Sequence, residues 1–125
     1  MQKIICFLLV MFLALVSCKK SSSNKNLSGW LEGKVIRISC ASYVIQISNN
    51  STFGQDNWKN IRDNKEYDNV VSAANQCEIS QDIKEGDKIR FRLDFTDTMN
   101  ECVVCDMFDG PPTVVYGVKN ISVKK

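Results

Sequence analysis

Lys88-Ile89-Arg90-Phe91-Arg92-Leu93-Asp94-Phe95 alternates without a break. Ile89, Phe91, Leu93 and Phe95 fall on one face, and Lys88, Arg90, Arg92 and Asp94 on the other. That is the period of two of a half-buried β-strand, not the 3.6 of a helix. Lys84-Glu85-Gly86-Asp87 just before it is a turn sequence. The same alternation recurs on either side. Tyr43, Ile45 and Ile47 point inward from a strand over residues 42–48.

Residues 29–39 are strand-like but change phase: Leu31 and Val35 share one parity, Ile36 and Ile38 the other. A phase change of this kind implies a bulge or strong bend, which Gly33 would permit. Residues 114–124 show a similar change around Lys119. In residues 66–74, Val70 and Val71 with Ala73 and Ala74 fit either a helical patch or a strand edge; Tyr and Val favour the strand, ended by Asn75. Residues 48–65 are polar and read as a long loop pinned by Phe53 and Trp58. Asp109-Gly110-Pro111-Pro112 reads as a second turn.

Five strands result, at 29–39, 42–48, 67–74, 87–96 and 114–124. A long bent first strand followed by a tight hairpin predicts an all-β, five-stranded OB-like barrel. A small β-sandwich is the alternative, because counting strands does not separate the two.

Composition narrows the chemistry. The chain has 125 residues, 44% apolar and 24% charged, with no histidine. Ser-His-Asp and Cys-His catalysis, and every zinc site that needs an imidazole, are thereby excluded. The net charge is +2. Lys3, Lys19, Lys20 and Lys25 precede residue 27 and no acidic side chain does, so residues 27–125 taken alone are slightly acidic. Nothing in that balance favours nucleic acid.

Residues 4–16 are apolar and uncharged after a short basic start. As a helix they would span about 20 Å, against about 30 Å for a bilayer core. This is the length of a signal-peptide core rather than a permanent span. It ends in Leu15-Val16-Ser17-Cys18, which resembles the lipobox of bacterial lipoproteins. The resemblance implies cleavage after Ser17 and acylation of Cys18, so that residues 1–17 are leader and the lipid bilayer is a partner through Cys18. Residues 18–26, with Lys19-Lys20-Ser21-Ser22-Ser23-Asn24-Lys25-Asn26, carry nothing apolar after the cysteine and read as a flexible tether. Lys19 follows the cysteine, a pattern that in enterobacterial lipoproteins implies the outer membrane. Residues 27–125 form one domain.

The wider layout resembles small cysteine-containing lipoproteins of Bacteroidota. It is carried by the lipobox, by Gly33, Val35, Ser39, Cys40 and Tyr43 to Gln46, by Gly86-Asp87 before a Phe-bearing strand, by Cys102-Val103-Val104-Cys105, and by the closing Val118-Lys119-Asn120-Ile121. The resemblance implies a cell-envelope location and brings no activity with it. Asp97-Thr98-Met99 resembles the short O-glycosylation site of the same bacteria.

Cys40, Cys77, Cys102 and Cys105 are even in number in an exported domain, which implies two disulfides. Three connectivities are open. Pairing of Cys102 and Cys105 with distant partners is favoured, at about 3–4 kcal/mol per long loop in the chain-entropy model. Thiol–disulfide exchange at Cys102/Cys105 is the remote alternative. It would require a reactive first cysteine, but two β-branched valines separate the pair.

Other candidate sites are diffuse. Trp58, with Gln55 and Asp56 beside it, is the best candidate for ligand contact, within a set of aromatics (Trp30, Trp58, Tyr67, Tyr116) that would otherwise plug the barrel ends. Asp94, Asp97, Glu101, Asp106 and Asp109 crowd one segment but lack the order of a calcium loop. Lys88, Arg90 and Arg92 are a basic strand face. The expectation is a non-catalytic binding or adaptor module of the cell envelope with a protein or glycan partner, without metal or cofactor. A structural subunit of an envelope complex is the alternative.

Overall fold

The computed structural model describes residues 25–100, 102 and 105–125. The leader, the lipobox with Cys18, and most of the tether lie outside them. The strands are β1 (Leu31–Ile38), β2 (Tyr43–Ile47), β3 (Trp58–Asn60), β4 (Lys65–Tyr67), β5 (Val70–Ala73), β6 (Lys88–Asp94) and β7 (Val115–Val123), with a 3₁₀ turn at Gln76–Glu78 between β5 and β6. Five strands close a barrel in the order β1-β2-β5-β7-β6, with β6 returning to β1. β5 and β7 run parallel and every other barrel pair is antiparallel. Among barrel strands alone this is the order one-two-three-five-four of an OB-like Greek-key barrel, and it displaces the sandwich alternative.

The alternating residues of β6 supply the core: Ile89, Phe91 and Leu93 are fully buried, and Phe95 packs beside them. Leu31, Val35, Tyr43, Ile45, Ile47, Val71, Ala73 and Val118 complete the interior, with Ile79 and Ile83 from the β5–β6 connection. Each of the Val, Leu, Ile and Phe side chains among them contributes about 1.5–3 kcal/mol on burial, and Ala73 less.

Both phase changes in the sequence are bulges. In β1 the register with β2 shifts between Val35 and Arg37, so Val35 and Ile38 both turn inward while Ile36 packs outside. The bulge is therefore not at Gly33. That glycine answers a different demand, since a Cβ there would lie 2.4 Å from the carbonyl oxygen of Gln46 on β2. In β7 the register shifts opposite Arg90 and Arg92, beside Asn120 in the left-handed region at φ 55°.

The polar stretch read as one long loop contains a hairpin. β3 and β4 pair from Trp58↔Tyr67 to Asn60↔Lys65. Its turn is closed by the Asn64 N–H donating to the Asn60 carbonyl, 2.8 Å, and by the Lys65 N–H donating to Asp63 Oδ1, 2.9 Å. Three-residue strands are too short to show a period. The hairpin covers the outer face of β2 and β5, where Trp58 packs with Val44, Val70, Ile36 and Tyr67. This is why consecutive residues, Val44-Ile45 and Val70-Val71, are all buried. Residues 109–112, expected as a turn, are an irregular segment instead, with Gly110 at φ 59°.

Candidate functional site

The cysteines join Cys40 to Cys105 and Cys77 to Cys102, with Cα–Cα distances of 5.9 and 5.5 Å. Both bridges link distant segments, and the second lies inside the loop closed by the first. Cys102 and Cys105 are not bridged to each other, so the ring that exchange at this CxxC pair requires is not formed. Together the bridges fasten the irregular segment after β6 to the β1–β2 turn and to the 3₁₀ turn.

A cavity of about 560 Å³ opens between these staples. Ile38 of β1, Tyr43 of β2, and Ile79 and Ile83 of the β5–β6 connection give it apolar walls, flanked by Cys40, Cys77 and Cys102. Ser39, Gln76, Ser80 and Gln81 add polar lining, and Lys84 and Glu85 add charge. The volume is that of a small-molecule pocket, and the lining sets apolar walls beside polar and charged residues.

Two wall residues carry unmet hydrogen-bonding capacity. The Tyr43 hydroxyl and the Gln76 Oε1 are buried with no partner among the described residues, although Gln76 Nε2 donates to the Cys40 carbonyl at 3.0 Å. Burial, and secondarily the Asp87 carboxylate, push the Tyr43 pKa up to about 12. Leaving a buried polar group unpaired costs about 1–3 kcal/mol.

Trp58 is buried rather than presented at the surface. It is 4% exposed, its Nε1–H donates to the Gly110 carbonyl at 2.8 Å, and the Arg37 guanidinium lies 4.9 Å from its ring centre. It is the anchor of the hairpin. Gln55 Oε1 accepts from the backbone and hydroxyl of Thr113, and Asp56 Oδ1 from the Asn69 N–H at 3.0 Å, so both hold loops in place. The four aromatics do not converge. Tyr67 packs on Trp58, Tyr116 meets Phe95 edge-on at 5.3 Å, and Trp30 stands apart, exposed, on the basic face of β6.

Glu101 lies outside the described residues, and the described members of the acidic segment are likewise dispersed. Asp94 Oδ1 accepts from Thr96, which lowers its pKa, and Asp109 is buried against Arg37. No three metal-ligating side chains converge among the described residues. Thr98 is exposed in the loop after β6.

The sequence reading missed the buried polar centre between hairpin and barrel. Arg37 is fully buried. Its Nη1 donates to Asn60 Oδ1 at 3.1 Å, and its Nε and Nη2 donate to Ser42 Oγ at 3.3 and 3.0 Å. Ser39 and Ser42 both donate to Asp109 Oδ2, the latter at 2.8 Å. A charged residue between Ile36 and Ile38, at the phase change, was the available signal.

The chain was compared with protein-family models, with curated proteins and with solved structures, and no comparison gave a match.

Proposed function

We propose that the protein is a lipid-anchored, non-catalytic binding module of a bacterial cell envelope, probing its surroundings through the cavity between the two disulfides. The observation that supports this most is that cavity, walled by Tyr43, Ile79 and Ile83, two of whose lining residues, Tyr43 and Gln76, carry a buried polar atom without a partner among the described residues. Its ligand is a small, largely apolar molecule, or a side chain of a partner protein, that offers a hydrogen-bond acceptor to the Tyr43 hydroxyl. The apolar leader ending in Leu15-Val16-Ser17-Cys18 supports the anchor, and two long-range disulfides suit an oxidising compartment.

Two experiments test the two halves. Cys18→Ala in the full chain abolishes acylation and releases the protein from the membrane fraction; unchanged fractionation overturns the anchor. A fragment screen read by protein NMR perturbs Tyr43, Ile79 and Ile83 together, and Ile79→Trp, which fills the space, removes the response. A screen whose hits map elsewhere overturns the cavity as the site.

A second reading, the structural subunit of a larger envelope complex, is supported by large apolar side chains left uncovered among the described residues. Phe108 is 87% exposed, and Met107 and Ile61 more than half exposed. Co-purification in a stoichiometric complex that resists salt, and that Phe108→Ser dissolves, favours it.

A further inference from the structure

The outer face of β1, β6 and β7 is strongly polarised. The register places Lys34 beside Lys88, Glu32 beside Arg90, and Arg92 beside Lys119. Lys124 follows at the end of β7, its N–H donating to the Lys88 carbonyl at 2.8 Å. Lys34, Lys88, Arg90, Arg92, Lys119 and Lys124 thus share one face of a domain that is acidic as a whole. The acidic groups there are few. Glu32 pairs with Lys124 at 2.9 Å, Glu78 reaches Lys119 at 3.7 Å, and Asp94 is turned to Thr96. Among the described residues no carboxylate pairs with Lys34, Lys88 or Arg90.

Trp30 stands in this face, 46% exposed. The Arg90 guanidinium lies 4.2 Å from its ring centre and that of Arg92 5.8 Å away. Stacking leaves the edge N–H groups of a guanidinium free to bind phosphate oxygens. The usual role of charges on a strand, keeping sheet edges from pairing, does not apply, because the barrel is closed and these strands have no free edge.

The chain also enters the barrel here. Leu27 bridges Asp94, the Ser28 N–H donates to the Leu93 carbonyl at 2.8 Å, and Arg92 Nε donates to the Ser28 carbonyl at 2.8 Å. Residues 18–26 therefore attach at the rim of the basic face. The length from Cys18 to Asn24 is seven residues, and a random coil of that length reaches roughly 15 Å.

We propose that this face rests on the anionic headgroups of the membrane that holds Cys18, with Trp30 seated at the interface. The inference rests on the anchored reading above and deepens it by orienting the barrel. An amphipathic indole beside cationic side chains is the composition of an interfacial anchor. A short tether gives an effective concentration in the millimolar range, so even weak attraction holds the face down.

The test uses the acylated full chain reconstituted into vesicles of phosphatidylcholine alone or with one third phosphatidylglycerol. Flotation reports the anchor. An amine-reactive label, read by peptide mass spectrometry, reports the orientation. In phosphatidylglycerol vesicles Lys34 and Lys88 are labelled about fivefold less than Lys59 and Lys65 of the hairpin. The contrast vanishes in phosphatidylcholine vesicles, in molar salt, and in Lys88→Glu/Arg90→Glu, which still floats. Equal labelling of both faces in floating protein overturns the orientation and leaves the anchor standing. Failure to float overturns both. Protection of the same lysines by an added polyanion, but not by phosphatidylglycerol, assigns the face to a polymer and overturns the proposal.

Discussion

Arg37 Nη2 lies 3.2 Å from Asp109 Oδ1, with the two side chains 0% and 4% exposed. The contact is ionic rather than a well-directed hydrogen bond; the directed bonds run from Arg37 to Ser42 and Asn60 and from Ser39 and Ser42 to Asp109 Oδ2. Burial pulls the Arg37 pKa below its ordinary value, and Asp109 is the largest influence raising it. The pair joins three parts of the chain: the β1 bulge, the hairpin through Asn60, and the segment after the cysteines.

Breaking such a pair from one side leaves an uncompensated buried charge. Asp109→Asn and Arg37→Met should each cost about 3–5 kcal/mol in urea denaturation of the oxidised protein. The double variant should cost less than the sum, with a coupling of about 1–3 kcal/mol. Strict additivity would show that the two residues act separately.

Trp58 holds the other side of the same junction. Trp58→Ala should destabilise by about 3–5 kcal/mol. Trp58→Phe, which keeps the ring but loses the bond to the Gly110 carbonyl, should cost about 1–2 kcal/mol. Amide exchange should speed up most in Trp58–Asn60 and Lys65–Tyr67, while β6 amides stay protected. Uniform loss of protection would mean the hairpin does not open as a unit.

The disulfides close loops with sequence separations of 65 and 25. The chain-entropy relation gives about 4 kcal/mol for Cys40–Cys105 and about 3.5 kcal/mol for Cys77–Cys102. Paired replacement by serine should reproduce that order in non-reducing denaturation. Peptide mapping of the oxidised protein should return these two linkages and no Cys102–Cys105 peptide.

What was legible in the sequence follows from what repeats along it. Ile89, Phe91 and Leu93 announce β6 because alternation is a local signal, and the bulges appear as parity changes at Ile36–Ile38 and near Lys119. Trp58 misleads because an indole in a polar stretch looks like a surface residue. Its burial depends on β2 and β5, which meet it only in the folded chain. The Arg37–Asp109 pair spans 72 positions of chain, and no local pattern links its members. The cavity is a property of two staples and a connection brought together, so Tyr43 reads in sequence only as an inward strand residue.

Gly33 is a case where local conformation and packing make different demands. Its Cβ would clash with the backbone of Gln46 rather than with a flexible side chain. Gly33→Ala must therefore push β1 and β2 apart, at a cost of about 1–3 kcal/mol. The measurement is a thermal midpoint beside that of Gly29→Ala, where a Cβ meets nothing within 4 Å. Equal midpoints would remove close strand approach as the reason for glycine at position 33.

Tyr43 ties the cavity to pH. Burial and the nearby Asp87 carboxylate push its pKa up to about 12, against about 10 in an unfolded chain. Above pH 10 the unfolded chain gives up this proton and the folded one keeps it, so unfolding is favoured as pH rises. The stability is complete below about pH 10 and is lost as pH climbs through 12, by roughly 2–3 kcal/mol at the alkaline end. Tyr67 is also pushed up to about 12, first by its hydrogen bond to Asp63, 2.6 Å long. Two phenols should therefore ionise near pH 12 in an ultraviolet titration of the folded protein, and Asp63→Asn should return only Tyr67 toward 10. Tyr43→Phe should make the stability loss between pH 10 and 12 shallower without abolishing it, because Tyr67 keeps its own raised pKa. At neutral pH it should leave stability unchanged or raise it by up to about 1 kcal/mol, because the hydroxyl it removes has no partner among the described residues. A Tyr43→Phe protein weaker by more than 1 kcal/mol at neutral pH would mean that the hydroxyl is already satisfied, and that the cavity wall is closed by its own partner rather than open to a ligand.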